Sequence, residues 1–537
     1  MKKILTTLLL VLSVSVMALA VPAYPGKYQF TQPDGSVITL QNHGDEYFSW
    51  TTDESGRVVE MGEDGFYRPV DQAVHQARVR KARQASISRR GSWSSYEDPF
   101  ETNFGDRKIL CILAEFSDIT FTIDDPKTKF TAMLNQSGYS YDGAIGSVRD
   151  YYIDNSGGQY RPEFDVYGPV TLSKTSAEYY QKGSYNKVPE AIMEAYELLE
   201  AEIDIDQYDT DSDGDVDMVL FYFAGHNQAE GAGTNTIWPH QWSLSEATGS
   251  TLTLDGVKID TYACSSELLG TSGSTIDGIG TMCHEYSHCL GLPDFYDTNY
   301  KAFGMSYWSV MDNGCNIYDG FCPVAFTAYE RWFCGWLEPE TLDSVCTVSA
   351  LRNLEDYPEA YVIYNDNNAN EYYLLANHQQ VGWNSHAYGH GMMILHVDYN
   401  QKAWVDNTVN NVGSHQRMTI IPADNQLATG SNSLRGDLWP GAAGQDALTD
   451  ETLPAATLFT ANSDGTHLMH KPLYGIAEID GIVSFRFMQE EPDGVQMVVA
   501  SSSFDPSALY DLSGKRYTQR RARRGIYVSH GRKTLIR

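Results

Sequence analysis

Hydrophobic and polar residues alternate along the first part of the chain after an initial apolar run. The stretch YQFTQPDGSVITLQ predicts two strands joined at a Pro-Asp-Gly turn, because successive side chains of a strand point to opposite faces of a sheet. Short strand-like segments separated by glycine turns follow it. The pattern predicts a small β-rich unit from about Tyr24 to Val70.

The body of the chain has continuous apolar runs and helical spacing instead. The runs KILCILAEF and VDMVLFYFAG are typical of buried strands. Between them, KVPEAIMEAYELLEAEI predicts a helix, because its apolar residues recur with the helical period at Ile192, Ala195, Leu198 and Leu199.

Two more helices and a second β-rich region are predicted further along. One helix runs from Ile276 to Leu290 and stops at Gly291, and another covers PVAFTAYERWFCGWL. Strands are then predicted in EYYLLANHQ, GMMILHVDY and RMTIIPAD. Together the elements predict an α+β fold with a mixed sheet in the body, a β-rich pro-segment before it and a β-rich extension after it.

The N-terminus has the three parts of an export signal. MKK is charged, ILTTLLLVLSVSVM is apolar but short and rich in Ser and Thr, and ALA is a small-residue cleavage site. We expect export and cleavage after Ala20, so that the mature protein is secreted or lies at the cell surface. No later apolar run is long enough for an integral membrane segment.

Two basic segments interrupt the chain. HQARVRKARQASISRR, from His75 to Arg90, contains Lys and Arg but no acid. It is either a solvated helix or linker, or a protease-sensitive joint with its cut at Arg89-Arg90. The basic tail that ends at Arg537 predicts either a small β unit for secretion or sorting, or a basic hairpin docked on the acidic body.

These patterns divide the chain into five parts. We expect a signal peptide (1–20), a β-rich pro-segment with the basic linker (21–95), a central α+β domain (96–340), a β-rich extension of that domain (341–490), and a linker with the basic C-terminal tail (491–537).

Composition excludes some partners. The chain has 70 Asp and Glu against 38 Lys and Arg, a formal net charge of −32. Such a charge argues against nucleic acid or an anionic membrane as the main partner, and it suits solubility and the binding of cations. The 8 cysteines permit disulfides in an exported protein, but their spacing does not fix a pairing.

The stretch TMCHEYSHCLGLPD places two histidines four residues apart on a predicted helix. Positions i and i+4 share a face, so His284 and His288 can both present a ring nitrogen to one metal ion. Glu285 has the general-base position of H-E-x-x-H metallopeptidases, from which it reaches water without binding the metal. Gly291 lets the helix stop and the chain turn back, so that Asp294 can supply a third ligand.

Two alternatives remain for this stretch. It could be a helix with two core histidines, although the motif with its glycine and acid is rare by chance. Within the zinc interpretation, Asp297 in DFYD competes with Asp294 for the third place. Three protein ligands leave a fourth position open, which distinguishes a catalytic zinc site from a closed structural one.

The stretch HEYSHCLGLPD, followed by WSVMDNG, resembles the immune inhibitor A family of secreted bacterial zinc metallopeptidases, relatives of the metzincins in which aspartate replaces the third histidine. Other segments stand in the family's order, and the likeness runs from about Arg107 to Met488: GSVRDYYIDNSGGQYRPEFDVYGPV, YDTDSDGDVDMVLFYFAG, IWPHQW, EYYLLANHQQVGWNSH and GHGMMILHVDYN. One departure is Asn377-His378-Gln379, where the family has Asn-Arg.

The resemblance implies that residues 96–340 are a zinc metallopeptidase catalytic domain of the zincin type, with a mixed sheet and a zinc-binding helix, and that residues 341–490 extend the peptidase region. It implies zinc ligation by His284, His288 and Asp294, with Glu285 as the base and Met311 in the turn beneath the metal. A lone Met is more often core filler. Its place in SVMDNG, downstream of Asp294, favours a packing role in that turn.

The stretch DTDSDGDVD is a second metal-binding pattern. Its acids alternate around a glycine like the first positions of a calcium-binding loop: Asp209, Asp211, Asp213, Asp215 and Asp217. Crowded carboxylates repel one another unless a cation neutralises them. Leu220 stands where an EF-hand has its bidentate Glu, so the loop is not a complete EF-hand. The alternative is a solvated acidic turn.

The combined prediction is a secreted zinc metalloendopeptidase, made as a zymogen, that cuts extracellular proteins or peptides. Zinc supplies the activated water, Glu285 is the general base, and calcium is the second expected cofactor. The alternative is a catalytically silent surface protein of the same fold that binds protein or glycan. For His240, His396 and Asp398, structural hydrogen bonding is favoured over a role in a site.

Overall fold

The computed structural model describes residues 21–45, 48–62, 64–75, 77–79, 100–180, 187–233, 235–249, 251–254, 256–299 and 301–489, with the backbone of four short strands in the tail. The expected signal segment and the Arg89-Arg90 pair lie outside the described residues. Across the part that is described, no helix is both long and apolar enough to cross a membrane.

The N-terminal unit is an antiparallel sheet whose strands pair in sequence order. The predicted Pro-Asp-Gly turn joins its first two strands, with Gly35 at a φ of 85°. The strands are β1 (Lys27–Thr31), β2 (Val37–Gly44), β3 (Ser49–Asp53), β4 (Val58–Met61) and β5 (Tyr67–Pro69). Residues 21–26 precede this sheet and run along the body of the protein.

The body contains a mixed five-stranded sheet. Its strands and those of a neighbouring hairpin are β6 (Gly105–Glu115), β7 (Tyr160–Thr171), β8 (Val219–His226), β9 (His240–Ser243), β10 (Leu252–Leu254), β11 (Val257–Ile259) and β12 (Thr261–Leu268). The sheet order is β7-β6-β8-β12-β9, and only the edge strand β9 runs antiparallel to its neighbour. The apolar runs predicted as buried strands are β6 and β8.

Helices cover this sheet and connect it to the rest of the chain. They are α1 (Pro126–Asn135), α2 (Val148–Asn155), α3 (Ser176–Tyr179), α4 (Val188–Leu199), α5 (Leu244–Thr248), α6 (Ile279–Cys289), α7 (Ala328–Phe333), α8 (Gln401–Val405) and α9 (Ser431–Asp437). Short 3-10 turns lie at Glu101–Asn103, Tyr141–Gly143, Ile205–Tyr208, Ser306–Trp308, Asn313–Gly320 and Gly382–Asn384.

Two further sheets lie in the region that the sequence analysis assigns to a β-rich extension. Their strands are β13 (Glu340–Thr341), β14 (Cys346–Leu351), β15 (Tyr361–Asn365), β16 (Asn368–His378), β17 (Gly391–Asp398), β18 (Met418–Ile420), β19 (Leu473–Ile479) and β20 (Ile482–Phe487). One sheet has the order β13-β15-β16-β17-β18 and the other β14-β20-β19. In the tail, β21 (Leu509–Tyr510), β22 (Arg516–Tyr517), β23 (Gly525–Ser529) and β24 (Arg532–Ile536) form a sheet of their own.

The predicted mixture of helix and sheet is confirmed, and the differences from prediction are local. The helix predicted over PVAFTAYERWFCGWL is only α7, because Thr327 caps its start in a capping box with Glu330. The residues before Thr327 form irregular chain instead. All 8 cysteines lie in described residues and none forms a disulfide.

Candidate metal centre and active site

Helix α6 carries the two predicted histidines in the interior of the protein. Every residue from Ile279 to His288 is buried, so the helix is covered on all sides. The Nε2 atoms of His284 and His288 are 3.0 Å apart, as expected for two side chains on one helix face.

Backbone carbonyl groups orient both imidazole rings. Nδ1 of His284 is 2.7 Å from the carbonyl oxygen of Val310, and Nδ1 of His288 is 2.7 Å from that of Leu292. A carbonyl oxygen can only accept, so each Nδ1 donates its hydrogen. Each Nε2 then keeps its lone pair for a metal ion, the arrangement usual for histidine ligands.

Asp294 completes a three-residue cluster. The chain turns back after α6 at Gly291, whose φ is 97°. Oδ1 of Asp294 consequently lies 3.2 Å from Nε2 of His284 and 3.3 Å from Nε2 of His288. Burial raises the pKa of Asp294, but His288 and His284 more than offset it and hold the pKa at about 2.

The donor set of the cluster fits zinc. One ligand atom from each of the three residues lies within 4.8 Å of the others, and all three residues are buried. Oδ1 of Asp294 has no hydrogen-bond partner among the described residues although it is buried. Two imidazole nitrogens and a carboxylate oxygen are ligands that Zn²⁺ takes in proteins.

Asn407 fixes the Asp294 carboxylate. Its Nδ2 donates to Oδ2 of Asp294 at 2.5 Å, and its Oδ1 accepts from the Asp294 backbone N–H at 2.8 Å. The first bond occupies Oδ2 and leaves Oδ1 facing the histidines. Asn407 therefore sets which carboxylate oxygen is available to a metal ion.

Asp297 has a different role in the structure. Its carboxylate accepts from the backbone N–H groups of Asn299 at 2.7 Å, of Lys301 at 2.9 Å and of Ala302 at 2.9 Å. These bonds close the loop that follows the cluster. The geometry thus favours Asp294 over Asp297 as the third ligand.

Glu285 lies beside the cluster and contacts the N-terminal segment. Its Oε1 accepts from the backbone N–H of Val21 at 2.7 Å, while its Oε2 is buried without a hydrogen-bond partner among the described residues. Burial raises the pKa of Glu285 well above its usual range. The Val21 N–H opposes this shift, whereas the charge of Asp294 adds to it.

The turn around Met311 links the histidine helix to the aspartate segment. Met311 is fully buried, and the preceding carbonyl, of Val310, is the one that orients His284. The Met311 carbonyl accepts from the Phe295 N–H at 2.9 Å, one residue beyond Asp294. Ser309 Oγ accepts from the Met311 N–H at 3.0 Å. The turn therefore holds the two parts of the cluster together.

Only part of the predicted calcium loop has its carboxylates close together. Carboxylate oxygens of Asp209, Asp211 and Asp213 lie within 4.8 Å of one another. Asp215 instead pairs with Lys258 at 2.9 Å, and Asp217 bonds to the hydroxyl of Thr210. Three of the five aspartates thus form a cluster and two face other partners.

The remaining candidates make structural hydrogen bonds. His240 is buried, with Nδ1 2.7 Å from the Trp238 carbonyl and Nε2 2.8 Å from the Tyr262 hydroxyl, and burial lowers its pKa to about 4. His396 Nε2 lies 2.9 Å from Glu371. Asp398 pairs with His415 and Arg417. None of them belongs to the three-residue cluster.

Sequence reasoning missed three residues of the site. Val21 contacts Glu285, Asn407 orients Asp294, and Trp238 Nε1 donates to the Val21 carbonyl at 3.1 Å. Each contact joins parts of the chain more than 100 positions apart, from 113 for Asn407 to 264 for Val21. No local period or motif signals such contacts.

Comparison with known proteins finds a match to one family over the body of the chain. Residues 101–335 match the family described as immune inhibitor A peptidase M6, catalytic domain. The pre-pro-metalloprotease PrtV of Vibrio cholerae serotype O1 is 29% identical over 272 residues, which cover 42% of this chain and 29% of PrtV. Immune inhibitor A of Bacillus thuringiensis subsp. alesti is 28% identical over 275 residues, which cover 42% of this chain and 39% of that protein.

The similarity is thus confined to part of each relative. The chain spans less than two fifths of the length of either protein. The resemblance to the immune inhibitor A family is confirmed over residues 101–335, and the names of the relatives support a metalloprotease.

Proposed function

We propose that the protein is a secreted zinc endopeptidase with a zincin-type catalytic domain that cuts extracellular proteins, because residues 101–335 match the immune inhibitor A peptidase family. One observation carries the proposal. A buried carboxylate oxygen of Asp294, which lacks a hydrogen-bond partner among the described residues, faces the Nε2 atoms of His284 and His288, beside the carboxylate of Glu285.

Three residues would hold the metal ion in this proposal. His284 and His288 bind through Nε2 and Asp294 through Oδ1, and the carbonyls of Val310 and Leu292 keep both rings in the required tautomer. Zinc, when bound there, supplies an activated water and a Lewis acid for the scissile carbonyl.

Glu285 moves the proton in this proposal. Its carboxylate accepts a proton from the attacking water and passes it to the nitrogen of the leaving amine. The present contact supports this role, because Oε1 already accepts a hydrogen bond from a backbone nitrogen, that of Val21. Burial excludes bulk water around Glu285 and strengthens its electrostatic interactions.

We further propose that residues 21–95 are a pro-segment that keeps the enzyme latent. Val21 is 3% exposed, its N–H is bound to Glu285 and its carbonyl accepts from Trp238. A substrate could not use Glu285 while this segment is in place. If export removes residues 1–20, the Val21 nitrogen becomes an α-ammonium group, and its bond to the Glu285 carboxylate becomes charge-assisted and stronger.

Calcium binding at Asp209, Asp211 and Asp213 is a separate proposal. Three carboxylates within 4.8 Å repel one another, and a hard cation with oxygen ligands would remove that repulsion. The loop lies between the 3-10 turn Ile205–Tyr208 and strand β8, so the expected effect is on stability.

Zymography tests the peptidase proposal. The trypsin-treated protein should cut a protein substrate, lose this activity with a zinc chelator, and regain it when zinc is added back. A Glu285→Gln variant is the matched control, because it keeps the proposed metal ligands but removes the base. Cleavage by Glu285→Gln at the parent rate would reject the mechanism.

A further inference from the structure

The first residues of the described chain contact Glu285 and run with the polarity of a cleavage product. In peptide hydrolysis the leaving group is a new N-terminus, and the base protonates its nitrogen. Val21 presents its nitrogen to Glu285, and the chain then leads away past Trp238 to the Tyr24 N–H, which donates to the Ala229 carbonyl at 3.0 Å. Val21 thus corresponds to the first residue after the cut bond, and Tyr24 to the fourth.

The Tyr24 side chain is held by acidic groups. Its hydroxyl donates to Oδ1 of Asp319 at 2.6 Å. Burial is the main cause that raises the pKa of Tyr24, and the nearby Asp319, Glu230 and Tyr307 raise it further. None of these three groups carries a positive charge. The fourth residue on this side therefore lies against acidic groups, and Asp319 contacts it directly.

Two more carboxyl groups lie nearby, and the charge of Asp319 adds to the causes that raise the pKa of one of them, Glu230. Glu230 is hydrogen-bonded to Asp277 and accepts from the Gly270 N–H. Burial is the first cause that raises the pKa of both. Asp277 is 5% exposed, and its Oδ2 has no hydrogen-bond partner among the described residues. The pair thus retains an unused acceptor in the protein interior, whereas Asp319 is exposed to solvent.

The loop that carries Asp319 is fixed to the start of α6. A Cβ atom on Gly278 would lie 2.3 Å from the Gly320 carbonyl carbon, and one on Gly280 would lie 2.0 Å from the Cys315 carbonyl oxygen. Only glycine permits this approach. Because α6 also carries Glu285, the position of Asp319 is set relative to the catalytic base.

We propose that Asp319, together with the nearby Glu230 and Asp277, forms a subsite for a cationic substrate side chain, Lys or Arg, at the fourth residue after the cut bond. The inference rests on the proposed peptidase function. Tyr24 supplies a hydrogen-bond donor but no charge, whereas Lys and Arg supply both, and charge-assisted bonds are about twice as strong as neutral ones. Asp319 and Glu230 are specificity-determining residues here and take no part in proton transfer.

A test on the full-length chain needs no catalysis. Tyr24→Lys and Tyr24→Glu are made in the parent and in an Asp319→Asn background. The lysine variant should melt several degrees above the glutamate variant in the parent, and the difference should fall by at least half with Asp319→Asn. Asp343→Asn, at an exposed acid before β14, is the matched control and should leave the difference unchanged. A melting difference in the Asp319→Asn background that equals the difference in the parent would reject the proposed subsite.

Peptide cleavage tests the same subsite in the activated protein. Peptides that differ only at the fourth residue after the cut bond should show kcat/KM about tenfold higher for Lys or Arg than for Ala, and lowest for Glu. With Asp319→Asn the preference should shrink to about twofold, and the Ala peptide should be cut at the parent rate. Equal rates for all peptides would reject the subsite alone. If no peptide is cut but the melting difference still depends on Asp319, the peptidase function is rejected. The preference of the subsite for a cationic side chain is then still supported.

Discussion

The backbone nitrogen of Val21 lies 2.7 Å from Oε1 of Glu285, although the two residues are 264 positions apart in the sequence. The contact brings the start of the N-terminal unit to the carboxylate that the proposed mechanism uses. Val21 continues into the segment that precedes β1, and the Ala23 N–H donates to the Gly44 carbonyl at the end of β2. The N-terminal sheet therefore holds the blocking residues in place.

Latency is the first testable consequence. If the N-terminal segment covers Glu285 about nine tenths of the time or more, at most about a tenth of the activity remains. Cutting the basic joint should therefore raise activity at least about tenfold. Trypsin treatment, with the cut confirmed by mass, measures this. The matched control replaces every trypsin site of the basic segment with Gln and should resist both the cut and the activation; these sites are Arg78, Arg80, Lys81, Arg83, Arg89 and Arg90. Equal activity before and after a confirmed cut would reject the pro-segment role.

Metal binding and proton transfer should separate by mutation. Glu285→Gln should retain about one zinc ion per chain and lose at least about a hundredfold in rate, because it removes only the base. His288→Ala removes a ligand and should lose zinc and activity together. Elemental analysis alongside peptide cleavage measures both. Full zinc content in His288→Ala would contradict the ligand assignment.

The third ligand can be tested with a neighbouring aspartate as control. Asp294→Asn should lose zinc, whereas Asp297→Asn should keep it and lose about 1–3 kcal/mol of stability, because Asp297 accepts from three backbone N–H groups. Asn407→Ala frees Asp294 Oδ2 and should weaken zinc affinity about 10- to 100-fold. Zinc loss in Asp297→Asn with retention in Asp294→Asn would reverse the assignment.

Calcium should stabilise the aspartate loop if it binds there. At a concentration 100 times its Kd, calcium should add about 2.7 kcal/mol to the unfolding free energy of zinc-loaded protein. Asp211→Asn should abolish the gain, whereas Asp215→Asn should keep it, since Asp215 pairs with Lys258 outside the cluster. Thermal melts with and without calcium measure the effect. A melting temperature that does not change with calcium would show that the loop is a solvated acidic turn.

Much of the local structure could be predicted because it depends on short-range patterns. The i and i+4 histidines meet on one face, and α6 ends just before Gly291, which adopts positive φ as the turn requires. The buried runs became β6 and β8. These features follow from helical and strand periods and from the conformational freedom of glycine.

The features of the site that could not be predicted depend on contacts between distant parts of the chain. The sequence left Asp294 and Asp297 as alternatives, and what separates them is Asn407, 113 residues after Asp294. Likewise, nothing in the local pattern around Val21 indicates that it contacts Glu285. The alternation of polar and apolar residues predicted the N-terminal strands. It does not indicate which surface of the protein the N-terminal sheet packs against.

His378, where the sequence departs from the family's Asn-Arg, predicts an acid-sensitive contribution to stability. Burial, and then the charge of Arg331, lowers its pKa to about 3, against about 6.5 in an unfolded chain. The folded state therefore binds fewer protons than the unfolded state between these values. The contribution of this group to the unfolding free energy is complete above about pH 6.5 and is lost as the pH falls towards 3, by at most about 1.4 kcal/mol per pH unit.

Denaturant unfolding at pH 7.5 and 5 should show a smaller loss of unfolding free energy in His378→Gln than in the parent. The exposed His386→Gln is the control and should behave like the parent. An identical loss in the parent and His378→Gln would show that the buried imidazole is not a source of the acid sensitivity.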